Sequence, residues 1–556
     1  MRIEKYLRNI TFWHIMIGVL SLATGVTFGL LQVLARAGIY KYGSFTYGTK
    51  IYYQGLTLHG VLNAIVFTTF FIVGFLYIVT EVSLKRKLNR GLVHLSFWTM
   101  VVGTLLAAWA ILTNKATVLY TFYPPLHAHP AFYIGAALLI IGSWIAILNT
   151  TLTHLKWRKE NPGKLTPPPM VAVHTTYIVW FLATLGVATE VLFFLIPWSM
   201  GWVKSINPEL ARTLFWWFGH PLVYFWLLPA YLAWYFLLPR IAGGKLYSEP
   251  MARVVFIMFI LFSLPVGTHH QFSDPGISST WKAVQAFLTF MVAVPSLLTA
   301  FNLAASLEYA GRVRGGNGLF GWVKTLPWGD YRFAGMVGPM IVFIFGGISG
   351  IVNASYNVNQ VVHNTSWIPG HFHMTVGTAS AMTFLTLSYI LMEKLFGKKP
   401  WSKKLATFHA YLWVVGVLIF AWGMMQLGRA GIPRRTHLGL SPYMNLEEKI
   451  LMGIAAVGGV LMFTSFLIYF INFLATVFKR PDLSPAEVEE VDLEFTDAYH
   501  REGENLPRSL DNFKLWIAIA VLLLVVTYGP IFYDVFRATY AVPNAFSPFN
   551  PLNLIK

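Results

Sequence analysis

Residues 213–236 read TLFWWFGHPLVYFWLLPAYLAWYF, an uncharged apolar run that carries His220 and Tyr224. As a helix, a run of this length crosses the roughly 30 Å hydrocarbon core of a bilayer. About thirteen such runs recur along the chain. They are centred near residues 23, 66, 102, 140, 184, 224, 258, 294, 344, 382, 416, 464 and 525. The sequence therefore predicts an all-α integral-membrane protein built as a bundle of about thirteen transmembrane helices.

The composition supports the same class of protein. Of 556 residues, 56% are hydrophobic and only 12% are charged, with a mean hydropathy of +0.58. Soluble domains carry about 25% charged residues. The first apolar run is too long for a cleavable signal peptide. We find no internal repeat and predict a single domain over residues 1–556, with one long acidic loop at about 481–512.

The net charge of +18 is distributed in a way that indicates membrane topology. Clusters of Lys and Arg fall in alternate loops, at residues 2–8, 85–90, 156–159, 312–314, 398–404 and 479–480. The positive-inside rule places these loops in the cytoplasm, with the N-terminus inside and the C-terminal tail, about 540–556, outside. This pattern argues against nucleic-acid binding, which the charge alone would suggest.

Six histidines lie in or at the ends of apolar runs and share one predicted depth, the outer half of the membrane. Imidazoles in such segments are costly to desolvate, so they usually serve a function. A lone buried histidine is more often hydrogen-bonded than metal-bound, but unrelated histidines would share no preferred depth. Because neutral imidazole is the commonest metal ligand, we expect metal or haem centres here. The six are His59, His220, His269, His270, His371 and His373.

Helical geometry separates the roles of these side chains. His371 and His373 are two positions apart, about 200° around a helix, so they point to opposite faces and can serve two separate cofactors. His220 and Tyr224 are four positions apart and lie on one face. Neighbouring residues such as His269 and His270 cannot share a face of an ideal helix. The preceding Pro265 and Gly267 predict a distortion that would aim both imidazoles at one ion.

At these motifs the chain resembles subunit I of the haem–copper oxygen reductases, most closely the B-type cytochrome c oxidases. The resemblance covers nearly the whole chain and implies two haems in the membrane of a prokaryotic cell, the inner (plasma) membrane. His59 and His373 would be the axial ligands of a low-spin haem, expected to be of b-type. His371 would be the proximal ligand of a high-spin haem of a-type or b-type.

The same resemblance implies one copper ion that faces the high-spin haem. His220, His269 and His270 would be its ligands. Tyr224 would be the catalytic tyrosine, covalently linked to His220. The two haems would then have different functions. A haem iron with two imidazole ligands has no free site for O₂, whereas a haem iron with one imidazole ligand has one open face.

Two departures from A-type relatives concern proton transfer. Leu222 stands where those relatives carry a glutamate, and the lysine of their eighth span is missing. Side chains with hydroxyl groups are present instead. On a helix, Tyr231 and Tyr235 lie successively further toward the cytoplasm than Tyr224. This matches the single hydroxyl-lined pathway of B-type enzymes, although aromatic packing and hydroxyl-to-backbone bonds are the alternative. The expected pathway residues are Tyr231, Tyr235, Ser296 and Thr299.

Haem propionates are anionic and need polar partners, for which Arg is well suited. The residues expected near them are Arg434, Arg435, His363 and Asp274. Asn359 stands where we expect a carboxylate in close relatives, which puts a proton-loading role at that position in doubt. Glu190 is a carboxylate within a span, and it is equally well read as a proton site or as a buried hydrogen-bond partner.

The resemblance implies a terminal oxidase that reduces O₂ to water, takes its protons from the cytoplasm and couples the reaction to proton pumping. The chain has no cysteine, so it cannot hold a thiolate-bound copper centre. A subunit II with a dinuclear copper centre is therefore expected, with cytochrome c as donor, although a quinol remains open. A small accessory subunit is also compatible. The alternatives are a nitric oxide reductase-like subunit, which Tyr224 and Leu222 argue against, and a secondary transporter, which would not explain six convergent histidines.

Overall fold

The computed structural model describes residues 1–41, 49–437, 444–500 and 506–541. Within them, long helical segments follow one another in chain order and are labelled α1 to α13. They are α1 (Lys5–Arg36), α2 (Tyr52–Leu84), α3 (Arg90–Leu112), α4 (Pro130–Glu160), α5 (Pro168–Ser199), α6 (Pro208–Phe236), α7 (Glu249–Gln271), α8 (Ser279–Val313), α9 (Tyr331–Ala354), α10 (Trp367–Phe396), α11 (Lys403–Arg429), α12 (Leu446–Phe478) and α13 (Phe513–Ala541). The predicted position of the C-terminal tail falls mainly on residues 542–556, which lie outside the described residues.

Several of these segments are irregular. Stretches of π-helix interrupt α2 at Val61–Phe67, α5 at Val191–Leu195 and α10 at Thr375–Ser380. The α-helical part of α7 ends at Ser263, and the segment closes with a 3₁₀ turn at Thr268–Gln271. The α8 segment consists of two helices, Ser279–Met291 and Ala293–Val313. Short helices lie at Leu238–Ile241, Gly318–Thr325, Tyr356–Val362 and Arg508–Asp511.

The prediction of a helical membrane bundle is confirmed. Among the described residues, twelve segments are long and apolar enough to span a membrane. Helix α6 is the long helix missing from that set, although its 29 residues suffice to cross a bilayer. Its many Trp, Tyr and Pro residues lower its hydropathy below that of an aliphatic span. The predicted count of about thirteen is therefore approximate.

Burial identifies the helices at the centre of the bundle. In α2 and α10, 83% of the most apolar stretch is buried inside the protein, against 28% in α8 and α13. Most buried apolar side chains belong to one continuous cluster that runs from Ile3 to Tyr528. Helices α2 and α10 carry His59, His371 and His373, so these histidines are held by well-buried parts of the fold.

The acidic loop after α12 folds back onto the cytoplasmic helix ends predicted by the charge pattern. Strand β1 (Leu246–Ser248) pairs in parallel with β2 (Ala498–His500). The N-terminal ammonium of Met1 donates to the carbonyl of Val491 over 3.1 Å, and Val491 is buried. The described part of this loop is thus attached to the helical body and is not a free, solvated connector.

Candidate metal and haem centre

Three histidines from two separate elements meet in one buried cluster. His220 comes from the middle of α6, and His269 and His270 come from the 3₁₀ turn that closes α7. Their ligand atoms all lie within 4.8 Å of one another, which is close enough to share one ion. Because the helix of α7 stops at Ser263, the Pro265–Gly267 stretch allows the two neighbouring imidazoles to face the same point.

Each of these imidazoles has a nitrogen available to bind a metal. The Thr289 hydroxyl donates to a backbone carbonyl and therefore accepts from Nδ1 of His269, over 3.1 Å. The Trp216 indole stacks on His270 with ring centroids 3.6 Å apart. The Nε2 atoms of His220 and His270 are buried and have no hydrogen-bond partner among the described residues. Since buried polar atoms normally have a partner, this donor set fits a metal ion such as copper.

Tyr224 lies beside this cluster on the same face of α6. Its ring centroid is 4.9 Å from that of His220, with the two rings inclined at 61°. The phenol also lies close enough to Tyr231 to interact with it electrostatically. Tyr224 thus stands between the three histidines and the tyrosines that follow it along α6.

A second pair of imidazoles faces across the bundle centre. The rings of His59 on α2 and His373 on α10 are nearly parallel, 13° apart, with centroids separated by 6.0 Å. The Nδ1 atoms donate to the carbonyls of Gly25 and Pro369 over 2.8 and 2.7 Å. Both Nε2 atoms therefore remain free. Two metal–imidazole bonds of about 2.0 Å each fit between such rings, as a bis-imidazole haem iron requires.

A mainly apolar cavity of about 280 Å³ adjoins this pair. Both His59 and His373 line it, and apolar side chains from α1, α2, α10, α11 and α12 form most of the rest. A Cβ atom at Gly29 would lie 2.6 Å from the His59 ring, so the close approach of α1 to this imidazole requires glycine. Arg434 and Arg435 line the same cavity. An apolar space with cations at one end suits a porphyrin with its propionates.

His371 points away from this cavity, toward α9 and the three-histidine cluster. Its Nδ1 donates to the carbonyl of Gly346 over 3.1 Å and lies 2.9 Å from the Ser349 hydroxyl. It is also close enough to His220 and His269 to interact with them electrostatically. The two histidines of the Gly-His-Phe-His motif therefore serve two different sites, and the free Nε2 of His371 suits a second haem iron.

The loop after α11 carries Arg434 and Arg435, whose guanidinium groups lie at the cavity beside His59 and His373. Nε of Arg434 and Nη2 of Arg435 are buried without a hydrogen-bond partner among the described residues. Arg435 lies 5.0 Å from the ring centroid of Tyr120 and 5.9 Å from that of Tyr123. Burial, together with the adjacent Arg435, lowers the pKa of Arg434 to about 10. Two adjacent, partly buried cations that have no carboxylate partner among the described residues fit the carboxylates of haem propionates.

Asp274 and His363 lie in the same polar region as the two arginines but have protein partners. The carboxylate of Asp274 accepts two bonds from Arg212, over 2.8 and 2.9 Å, and its backbone carbonyl accepts from Lys282. Nδ1 of His363 contacts Asn359 over 3.1 Å. Burial, and then the charge of Arg434, lower the pKa of His363 to about 4. These residues form the polar surroundings of the arginine pair.

The predicted hydroxyl line lies between Tyr224 and the end of α6 that the charge pattern predicts to be cytoplasmic. Tyr235 donates to the Thr299 hydroxyl over 2.9 Å, joining α6 to α8. Tyr231 lies near both Ser296 and Thr299. The hydroxyls of Ser296 and Thr299 also donate to carbonyls of their own helix. Glu190 is on α5 and does not join this line.

Sequence reasoning missed the residues that orient the imidazoles. Thr289, Ser349, Trp216 and Arg212 all contact members of the centre and were not predicted. Each lies in one of the long helices, and the residue it contacts comes from a different part of the chain. No local pattern in the sequence marks such residues before the helices are packed.

These observations define a class, the membrane-embedded haem and metal proteins, and comparison with known proteins gives the family. The sequence profile of the family "Cytochrome C and Quinol oxidase polypeptide I" matches residues 9–461. The chain therefore belongs to this family of haem–copper oxidase subunits I and is the catalytic subunit of a terminal respiratory oxidase. It is a multi-span membrane protein that binds haem and copper and works with other subunits and a redox donor.

The relatives span nearly the full length of the chain. It is 42% identical to cytochrome c oxidase subunit 1 of Thermus thermophilus over 542 residues, which cover 96% of each chain. It is 25% identical to cytochrome c oxidase polypeptide 1 of Halobacterium salinarum, over 86% of this chain and 80% of that one. A solved heme-copper terminal oxidase dimer superposes with a TM-score of 0.92 at 43% identity, covering 99% of this chain and 94% of that chain.

Proposed function

We propose that this subunit reduces O₂ to water with electrons from cytochrome c, at a centre formed between His371 and the cluster of His220, His269 and His270. The observation that carries the proposal is the meeting of these three imidazoles, with two partnerless Nε2 atoms, in one buried site. When bound, two haems and a copper ion supply the electron transfer and the O₂-binding chemistry. The remaining argument concerns what the side chains of this chain do.

His59 and His373 would hold the low-spin haem, of b-type, and His371 the high-spin haem, of a-type or b-type. The hydrogen bonds on their Nδ1 atoms fix the tautomer and ring orientation, which strengthens the opposite nitrogen as a ligand. Arg434 and Arg435 would bind propionates, with Asp274 and His363 completing the polar surroundings. The bis-imidazole pair admits no third ligand, so it is suited to electron transfer.

Tyr224 would provide a proton and an electron close to the copper site. Its phenol is buried one helical turn from His220, and the 4.9 Å ring separation supports a role for the pair as one unit, including a covalent link between the rings. Tyr231, Tyr235, Ser296 and Thr299 would return the proton from the cytoplasm. The hydrogen bond between Tyr235 and Thr299 supports this path.

The electron donor would reach this chain through a second subunit. The chain lacks cysteine, so a dinuclear copper entry centre has to lie on a partner. The relative from Thermus thermophilus, at 42% identity, is named as a cytochrome c oxidase subunit, which supports cytochrome c as donor. Quinol oxidase subunit 1 of Sulfolobus acidocaldarius is more distant, at 24% identity over 80% of this chain and 86% of that one. A small accessory subunit would complete the complex in the prokaryotic plasma membrane.

The test is O₂ uptake by the purified complex with reduced cytochrome c and, separately, with a quinol as donor. We expect cytochrome c to support rapid O₂ uptake and the quinol to support little. Reduction of nitric oxide without O₂ uptake would favour the nitric oxide reductase alternative. A purified complex without haem absorption would favour a transporter and would contradict the proposal.

A further inference from the structure

Glu190 is a buried carboxyl group that neither the metal centre nor the hydroxyl line uses. It is fully buried at the end of the α-helical part of α5, directly before the π-helical stretch Val191–Leu195. Neither carboxylate oxygen has a hydrogen-bond partner among the described residues. Because an isolated ionised carboxylate in this environment is very costly, the group is expected to be neutral and to carry a proton.

A second partnerless polar group lies near it. The Tyr133 phenol, at the start of α4, is fully buried and has no hydrogen-bond partner among the described residues. It is close enough to Glu190 to interact with it electrostatically. Two buried polar groups that both lack protein partners are a typical setting for bound water. Stretches of π-helix within α-helices are also frequent at functional sites.

The packing of α5 against α6 shows how far Glu190 lies from the three-histidine cluster along the helix axes. The Trp217 indole donates to the Leu182 carbonyl, and a Cβ at Gly186 would lie 2.8 Å from the Leu214 carbonyl oxygen. The two helices are thus antiparallel, and Glu190 lies one turn beyond Gly186, near the level of Leu210. Ten residues separate that level from His220, about 15 Å along the helix axis.

Glu190 and the hydroxyl line therefore lie on opposite sides of the three-histidine cluster. Tyr224, Tyr231 and Tyr235 follow His220 toward the C-terminal end of α6, whereas Glu190 lies toward its N-terminal end. Protonatable groups on both sides of a redox centre are what directional proton transfer requires. At such range in a low-dielectric interior, an added electron alters the free energy of a bound proton.

We infer that Glu190 and Tyr133 form a hydrated proton-holding site on the exit side of the centre, which binds and releases a proton as the centre is reduced and reoxidised. The inference deepens the proposed function and rests on it, because the site needs a redox centre beside it. No bond to a heavy atom forms or breaks. The Glu190 carboxyl gives its proton to bound water and regains one from the side of the centre.

Infrared spectroscopy on the intact complex tests the site directly. We expect the reduced-minus-oxidised difference spectrum to contain a protonated-carboxyl C=O band that shifts in D₂O and disappears in Glu190→Gln. Tyr133→Phe should shift this band, because it removes a hydroxyl that would hydrogen-bond to the water bound beside Glu190. Thr189→Val is the matched control, since that neighbouring hydroxyl donates within its own helix to Leu185, and the band should be unchanged.

Proton ejection by the complex in sealed vesicles provides the second readout. The ratio of protons ejected to electrons transferred should fall about twofold or more in Glu190→Gln, whatever happens to the turnover rate. An unchanged ratio, a wild-type enzyme that ejects no protons, or the absence of a Glu190-dependent carboxyl band would overturn the inference. Haem content, copper content and O₂ uptake, measured on the same samples, report separately on the proposed function.

Discussion

At the scale of single residues, the centre depends on hydrogen bonds to the Nδ1 atoms of its histidines. His59, His371 and His373 donate to backbone carbonyls, and His269 donates to the Thr289 hydroxyl. In each case the bond fixes which nitrogen carries the proton and leaves Nε2 as the ligand. The partners of the imidazoles therefore decide whether the ligands are ready to bind a metal.

Thr289→Val should weaken copper binding while leaving the haems in place. The substitution keeps the side-chain volume but removes the acceptor that orients His269. Loss of such a partner typically lowers metal affinity by about 10- to 100-fold, and we expect a decrease of about that size here. Copper retained after dialysis against a graded series of chelator concentrations measures the effect. Thr189→Val is the control. Copper retention equal to that of the wild-type enzyme would show that Thr289 does not orient the ligand.

The residue scale also separates what the sequence could predict from what it could not. The histidines and Tyr224 were predictable because ionisable or polar groups inside apolar runs are rare and costly. Thr289 and Ser349 were not predictable, because a hydroxyl in a membrane helix usually bonds to its own backbone. Asp274 illustrates a third case, in which the region was predicted but the bidentate partner, Arg212, was not.

At the scale of elements, irregular helices place the functional side chains. The end of the α7 helix at Ser263 lets His269 and His270 face one point, and π-helical stretches occur next to His59, Glu190 and His373. Apolar runs predicted the helices because their length is set by the bilayer. The π-helical stretches were not predicted, because they arise from packing between helices and leave no clear local pattern. Only the break in α7 had a sequence signal, in Pro265 and Gly267.

The contact between α6 and α8 should be needed for proton uptake. Tyr235→Phe or Thr299→Val removes one side of the 2.9 Å hydrogen bond that joins these helices. We expect O₂ turnover to fall by about tenfold or more, because proton transfer through the line is interrupted. Haem spectra should be unchanged, since neither residue contacts the imidazoles. Tyr77→Phe, in a buried tyrosine of α2, is the control, and wild-type turnover in both test variants would contradict the pathway.

Helices α3 and α4 pack so closely that Gly103 should not tolerate replacement by a residue with a side chain. A Cβ at Gly103 would lie 2.6 Å from the Gly135 carbonyl oxygen, whereas a Cβ at Gly453 on α12 meets no atom within 4 Å. Gly103→Val should destabilise the protein by about 3 kcal/mol or more, because backbone has to move. The temperature at which half the haem absorbance is lost measures this. Gly453→Val should change that temperature little, and equal effects of both substitutions would contradict the packing account.

At the scale of the whole molecule, the well-buried helices α2 and α10 carry the proposed haem ligands. The loops with clustered Lys and Arg all lie at one end of the bundle in the predicted topology. Hydropathy could predict a bundle of about thirteen helices, and the charge pattern predicts their direction in the membrane. They could not predict which helices are central, since α2 and α10 differ from their neighbours in burial more than in composition.

The predicted topology can be measured with single cysteines, because the natural chain has none. In intact spheroplasts, a membrane-impermeant maleimide should label Lys204→Cys, in the loop between α5 and α6. Lys399→Cys, between α10 and α11, should be labelled only after the membrane is opened. Both variants should retain haem spectra. The reverse pattern of labelling would invert the topology and would place the hydroxyl line on the wrong side for proton uptake from the cytoplasm.

The most direct measurement of the central claim is the metal content of the purified complex, before and after removal of one imidazole. In His269→Asn we expect one copper per complex to be lost relative to the wild-type enzyme, with both haems retained, because the ligand atoms of the three histidines lie within 4.8 Å of one another and would share one ion. The proposed haem ligands are other residues, His59, His371 and His373. Loss of iron instead of copper, or unchanged copper content, would contradict the assignment of His220, His269 and His270 to a copper site.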